Sequence, residues 1–157
     1  MTRRPVITVI GKSARNPADP VPARALRAGE EVGKLLAERG ATVVCGGLGE
    51  VMEAAARGAK SAGGTTIGIL PGEGREDANA WTDHVVVTGI GHARNLAVAA
   101  SGDAVIAVGG SWGTLAEIAF ARRLGRTVVI LEPGWQVEGV PRAPDPAAAV
   151  SLALSLL

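Results

Sequence analysis

The feature that most limits the fold is a set of short, nearly continuous valine- and isoleucine-rich runs spaced along the chain. They are Val6–Ile10, Thr42–Cys45, Thr65–Leu70, His84–Val87, Ala104–Val108 and Thr127–Leu131. A strand with one wet face alternates apolar and polar residues. A run that is apolar at almost every position is covered on both faces, as in a parallel sheet. Helical stretches lie between most of these runs. Ala23–Arg39 is the clearest, with Leu26, Val32, Leu35 and Leu36 on one face and Glu30, Glu31, Glu38 and Arg39 off it. Glu50–Ala62, His92–Ala100 and Leu115–Leu124 follow. Asp145-Pro146 then supplies an N-cap and a first-turn proline for a last helix to Leu157. This alternation predicts an α/β fold: a doubly wound parallel sheet of about six or seven strands in a three-layer α/β/α sandwich, with right-handed crossovers.

Residues 1–157 read as a single domain. Two irregular segments, Pro71–Asp83 and Pro133–Pro144, interrupt the pattern, but it continues on both sides of each, so neither reads as a linker. Whether 71–83 closes over a site as a lid stays open. Apolar residues make up 47% and charged residues 20%, which is globular composition rather than disorder. The formal net charge of +1 gives no electrostatic footprint for nucleic acid or an anionic membrane. No apolar run is long enough to span a bilayer. The lone Cys45 allows no internal disulfide and reads as a small buried apolar residue. The expected location is cytoplasmic. His84 and His92 are the only histidines and have no carboxylate spacing that suits a metal, so no metal site is expected.

In open α/β sheets ligands bind at the carboxyl ends of the strands. Glycine turns fall there at Gly11, Gly46-Gly47 and Gly109-Gly110. A residue without a Cβ lets backbone N–H groups approach a ligand, and the helix that follows adds unpaired donors and partial positive charge. Such turns favour a phosphate or a carboxylate. "GKS" at Gly11–Ser13 is not a P-loop, because the glycine that motif needs five residues earlier is Val6. Lys12 and Ser13 remain candidates to face the crevice. No G-x-G-x-x-G follows the first strand, which disfavours standard dinucleotide binding.

Glu117, in "AVIAVGGSWGTLAEIAF", has two readings. Thr114-Leu115-Ala116-Glu117 fits a capping box, in which the glutamate reaches back to the helix start. Glu117, Phe120, Ala121 and Leu124 also share a stripe on a helix that is apolar nearly all round. A carboxylate there is desolvated, and its pKa rises unless a cation answers it. Arg94, at the start of another helix in "TGIGHARNLAVAA", is the candidate cation, with Asn95 beside it. The stripe and Arg94 favour a ligand-facing Glu117.

These residues resemble the LOG family, often labelled lysine decarboxylase-like. "GGSWGTLAE" resembles the family signature PGGxGTxxE, "GHARN" its upstream arginine motif, and "CGGLGEVMEAAARGA" its first glycine-rich site. The short length, "GILPG" and "TGIGHARN" resemble the branch related to molybdenum-cofactor carrier proteins. The resemblance implies a Rossmann-like fold, a homodimer or homotetramer, and a nucleotide-type pocket for a small phosphate ester. It implies that Gly109, Gly110, Gly113 and Thr114 hold the phosphate, with Ser111 and Trp112 in the same turn. Arg94 and Glu117 complete the implied site, and Gly11, Ser13, Gly46, Gly47 and Asn95 are the further ligand candidates read from the turns and their neighbours. In the hydrolytic members the matching Arg94 and Glu117 would be catalytic, cleaving the N-glycosidic bond of a nucleoside 5′-monophosphate. The carboxylate then faces an oxocarbenium-like centre.

The sequence departs from the hydrolases at Val108, where the signature has proline, and at Asn95, where a lysine follows the arginine. Trp112 replaces a tyrosine, and "GGLGEVM" lacks the usual ending. These departures favour binding, with a nucleotide, phosphate or molybdenum cofactor as ligand and no required cofactor. The rival expectation is phosphoribohydrolase activity. Pyridoxal-phosphate decarboxylation is rejected: only Lys12, Lys34 and Lys60 exist, and the last two fall on exposed-looking helix faces.

Overall fold

The computed structural model describes residues 3–14 and 16–157. In chain order the strands are β1 (Val6–Gly11), β2 (Thr42–Cys45), β3 (Thr66–Leu70), β4 (His84–Val87), β5 (Ala104–Val108), β6 (Thr127–Leu131) and β7 (Arg142–Ala143). The α-helices are α1 (Ala23–Glu38), α2 (Val51–Ser61), α3 (Arg94–Ser101), α4 (Trp112–Arg123) and α5 (Pro146–Ser155). The strands form one seven-stranded sheet in the order β4-β3-β2-β1-β5-β6-β7, and every pair is parallel. The fold is the doubly wound parallel sheet that the apolar runs predict, and it is Rossmann-like, as the family resemblance implies.

Alternate residues of each strand feed two separate cores, because successive side chains point to opposite faces. Ile7 and Val9 of β1 and Ile106 and Val108 of β5 meet Val32 and Leu36 of α1, Ala55 of α2 and Val150 of α5. Ile10, Val105 and Ala107 meet Val98 of α3 and Ile118 of α4. The helices therefore make two layers, α1, α2 and α5 against α3 and α4. Asp145 does cap α5, accepting from the Ala148 N–H at 2.8 Å. The apolar residues of α5 serve the core: Ala149, Val150 and Ala153 are fully buried.

α1 and α2 approach closely. A Cβ on Gly33 would strike the Ala55 carbonyl, and one on Gly58 would strike the Glu30 carbonyl. Backbone therefore meets backbone at this crossing. The segment 71–83 is tied to the β2–α2 turn. Asn79 donates its backbone N–H to Gly47 O at 2.9 Å and its side-chain amide to Leu48 O at 2.9 Å. β7, only two residues long, is the one strand that the apolar runs do not reveal.

Candidate functional site

A parallel sheet ends all its strands on one edge, and the order reverses where β1 lies between β2 and β5. Crevices form at that switch point. Two clefts open there, on either side of the Gly109-Gly110 turn. The first, about 310 Å³, collects the ends of β1 and β2 and the starts of α2, α3 and α4. The second, about 380 Å³, lies between the β5 and β6 ends and the start of α1.

Arg94 organises the first cleft. It is the first residue of α3, where the helix dipole opposes a cation. The side chain answers this by reaching the carbonyl ends of two strands. Nε donates to Ile69 O at 2.9 Å, Nη2 to Gly46 O at 3.3 Å, and Nη1 to the Asn95 side-chain oxygen. Arg94 is only 8% exposed. Gly46 makes room for it: a Cβ there would lie 2.8 Å from Nη2.

Glu117 is buried to the same 8%. Burial pushes its pKa up to about 7, although the Arg94 charge pulls the other way. The capping-box reading fails. α4 begins at Trp112, and its N-cap is Ser111, whose Oγ accepts from the Thr114 N–H at 3.4 Å. Glu117 therefore sits in the second turn, beyond reach of the helix start, and lines the cleft. Ser111 Oγ and Thr114 Oγ1, 3.1 Å apart, stand at the same helix N-terminus.

The structure gathers Gly11, Ser13, Gly46, Arg94, Asn95, Ser111, Gly113, Thr114 and Glu117 around one space. Four other expected positions lie elsewhere. Gly109 and Gly110 line the second cleft, because Gly109 turns the chain with φ 72° between the two spaces. Gly47 lines neither; its φ of 76° makes the β2–α2 turn. Trp112 is 78% exposed and lines neither cleft.

Sequence reasoning missed Glu50, Met52 and His92, which also line the first cleft. Glu50 is the only described non-glycine residue with positive φ, at 54° with ψ −124°. That backbone suits glycine, so a glutamate there carries strain of about 1–3 kcal/mol. A glutamate inside a glycine turn was the available signal. Of the segment 71–83, only Pro71 lines the first cleft. Cys45 lies under the floor with its thiol pushed up to about 11 by burial, so it stays protonated at neutral pH. Among the described residues no cluster of three histidine, cysteine, aspartate or glutamate side chains could hold a metal ion. No helix among them is long and apolar enough to cross a membrane.

The SLOG cluster4 family (LDcluster4) matches residues 4–151. A molybdenum cofactor binding protein from Rippkaea orientalis superposes with a TM-score of 0.90 at 32% identity, covering 99% of each chain. The molybdenum cofactor carrier protein of Chlamydomonas reinhardtii gives a TM-score of 0.84 at 36% identity over 98% of each chain. A cytokinin riboside 5′-monophosphate phosphoribohydrolase from Mycobacterium tuberculosis is 34% identical over 133 residues, 78% of this chain and 71% of that protein. The matched span contains every strand end and helix start that builds the two clefts, and the chain belongs to the SLOG cluster4 family.

Proposed function

We propose that the chain binds a phosphorylated nucleotide-like or pterin-nucleotide small molecule in the first cleft and acts as its carrier. The observation that carries this reading is the convergence of Ser111, Gly113 and Thr114, at a helix N-terminus, with buried Arg94 and Glu117 in one cleft. A helix start with two hydroxyls receives a phosphate through N–H and O–H donors. Glu117 accepts hydrogen bonds from a sugar or a ring N–H. Arg94 spends at least three donors on Ile69, Gly46 and Asn95, so its main work is to fix the cleft's shape and field.

The likeness to molybdenum cofactor carriers supports a cofactor of that kind as cargo. The donor set fits its organic part. The phosphate would sit on Ser111, Gly113 and Thr114, and the ring edge would face Glu117. The metal end would find no thiolate from Cys45, which is buried and protonated. Cargo would thus be held by its phosphate and ring, with its metal left free for transfer.

A second reading is phosphoribohydrolase action. It is favoured by Glu117, whose pKa near 7 leaves an ionised fraction beside the Arg94 charge at neutral pH. An ionised carboxylate in a dry cleft can stabilise the positive charge that develops as an N-glycosidic bond breaks. A homo-oligomer belongs to the same family-based reading. Leu96 on α3 and Phe120 and Leu124 beside or on α4 remain exposed and available for a second copy, which sedimentation would test.

One experiment separates carrier from hydrolase. The protein is incubated with a panel of nucleoside monophosphates, and free base is followed by chromatography. Binding of the same panel and of molybdopterin is measured by calorimetry. The carrier reading expects binding without base release. Base release that disappears in Glu117→Ala would replace it with the hydrolase.

A further inference from the structure

The second cleft shares the glycine turn with the first but has different chemistry. Its walls are apolar, from Ala25, Ala28, Val108, Leu131 and Trp135. The Trp135 ring is fixed in place. Its Nε1 donates to Ser111 O at 3.1 Å, and its centroid lies 5.4 Å from that of Trp112. Gly110 leaves the ring its space, since a Cβ there would come within 2.7 Å of Nε1.

The charges at the rim are mostly cationic. Lys12 lines the cleft with its side chain only 16% exposed, and it pairs with Asp19, an aspartate 71% exposed on the following loop. Arg24 lines the cleft from the first turn of α1. That turn holds no acidic residue, and its N-cap, Pro22, offers no side-chain cap. Among the described residues Arg24 has no hydrogen-bond or ion-pair partner. Glu132, the one acid in the lining, is engaged with Arg142 at 3.6 Å. Arg24, exposed and unpaired among the described residues, stands at the positive end of a helix, and Lys12 is answered only by the exposed Asp19. An anion offsets both cations and the helix end, and the apolar slot below suits a flat ring. The volume, about 380 Å³, is that of a small-molecule site.

We propose that the second cleft is a separate binding site for a planar aromatic anion of nucleotide size, its ring against Trp135 and its anionic group held by Lys12 and Arg24. Asp19 gives up Lys12 as the ligand enters. The site does not depend on what the first cleft binds.

The test is calorimetric titration of the full chain with AMP, with thermal unfolding of each variant run beforehand without AMP. Lys12→Gln combined with Arg24→Gln is expected to weaken one binding event by about tenfold or more, through lost charge-assisted hydrogen bonds. Asp19→Asn removes the competing carboxylate and is expected to tighten the same event by up to about fivefold. Glu117→Gln is expected to leave that event unchanged. No binding of AMP overturns the proposal. So does binding that ignores both cleft variants. A single event lost equally in Glu117→Gln and in the double variant also overturns it, because one shared site then replaces two, while the reading of the first cleft survives.

Discussion

The two clefts share a wall and oppose each other in charge. The first holds the charged side chains Arg94, Glu117 and Glu50 and spends its buried cation on backbone carbonyls. The second is apolar-walled, rimmed by Lys12 and Arg24, and among the described residues leaves Arg24 unanswered while Lys12 is met only by the exposed Asp19. A glycine turn therefore says where a ligand can approach the sheet edge. The neighbouring helix starts decide what chemistry it meets.

That contrast predicts a hierarchy of effects. Arg94→Ala should be the most damaging change. It strips two strand-end carbonyls of a donor, at a cost of about 2–4 kcal/mol, and removes the charge that holds the Glu117 pKa down. Lys12→Gln, which breaks only a pair with an exposed aspartate, should cost under about 1 kcal/mol. Urea unfolding measures both. Equal losses would end the idea that one cation builds its cleft and the other waits for a ligand.

Glu117→Gln comes next, and its sign depends on pH. The folded pKa, about 7, lies above the ordinary 4.5. The folded state thus holds its proton more tightly than the unfolded chain. The stability this gives is fully present below about pH 4.5 and is lost as pH rises through about 7. Replacement by glutamine should stabilise the protein at pH 8 by on the order of 2–3 kcal/mol and do little at pH 4. A flat difference between the two pH values would mean that Glu117 is better solvated than its burial implies.

Two glycine variants sharpen the division between clefts. Gly110→Ala should push Trp135 off Ser111, shift its fluorescence and destabilise by about 1–2 kcal/mol, leaving the first cleft's ligand binding intact. Gly46→Ala should do the reverse, displacing the Arg94 guanidinium while Trp135 fluorescence stays put. Cross-effects of equal size would show that the shared turn moves as one body. One small expected change is favourable. Glu50→Gly should relieve the strained turn and raise stability by about 1 kcal/mol, partly offset by the flexibility glycine adds to the unfolded chain. Thermal denaturation would show a rise of about 2–4 °C.

The sheet was legible because its central strands are buried on both faces, which leaves no room for polar alternation in Val6–Ile10 or Ala104–Val108. β7 was not, since Arg142-Ala143 owes its strand geometry to pairing with Ile130 and Leu131, not to its own pattern. Arg94 and Glu117 were legible as charges placed against local preference, one at a helix start and one on an apolar stripe. The helix start itself was misread: Thr114 fits the capping pattern, but Ser111 occupies the cap. Of the second cleft, local motifs showed only Lys12 and the Gly109-Gly110 turn, and not that these face a separate space. Its wall, Trp135, comes from an irregular segment and meets Gly110 only through the fold. Gly109 and Gly110 read as one phosphate turn with Ser111–Thr114, yet the positive φ of Gly109 sends their surfaces to different sides.

The backbone-to-backbone crossing of α1 and α2 bears on how the first cleft is walled. Side chains can tilt and slide past one another, but a carbonyl seated on a glycine Cα has no such slack. α2 and the Glu50 turn at its head are bolted to the first layer, and Asn79 fastens the same turn from outside. α3 is fastened differently: Thr8 Oγ1 donates to Val98 O at 2.9 Å, and Arg94 at the helix start reaches the β2 and β3 ends. The first cleft is thus bounded on the α2 side by a wall set through backbone contact, and on the α3 side by one set through side-chain hydrogen bonds.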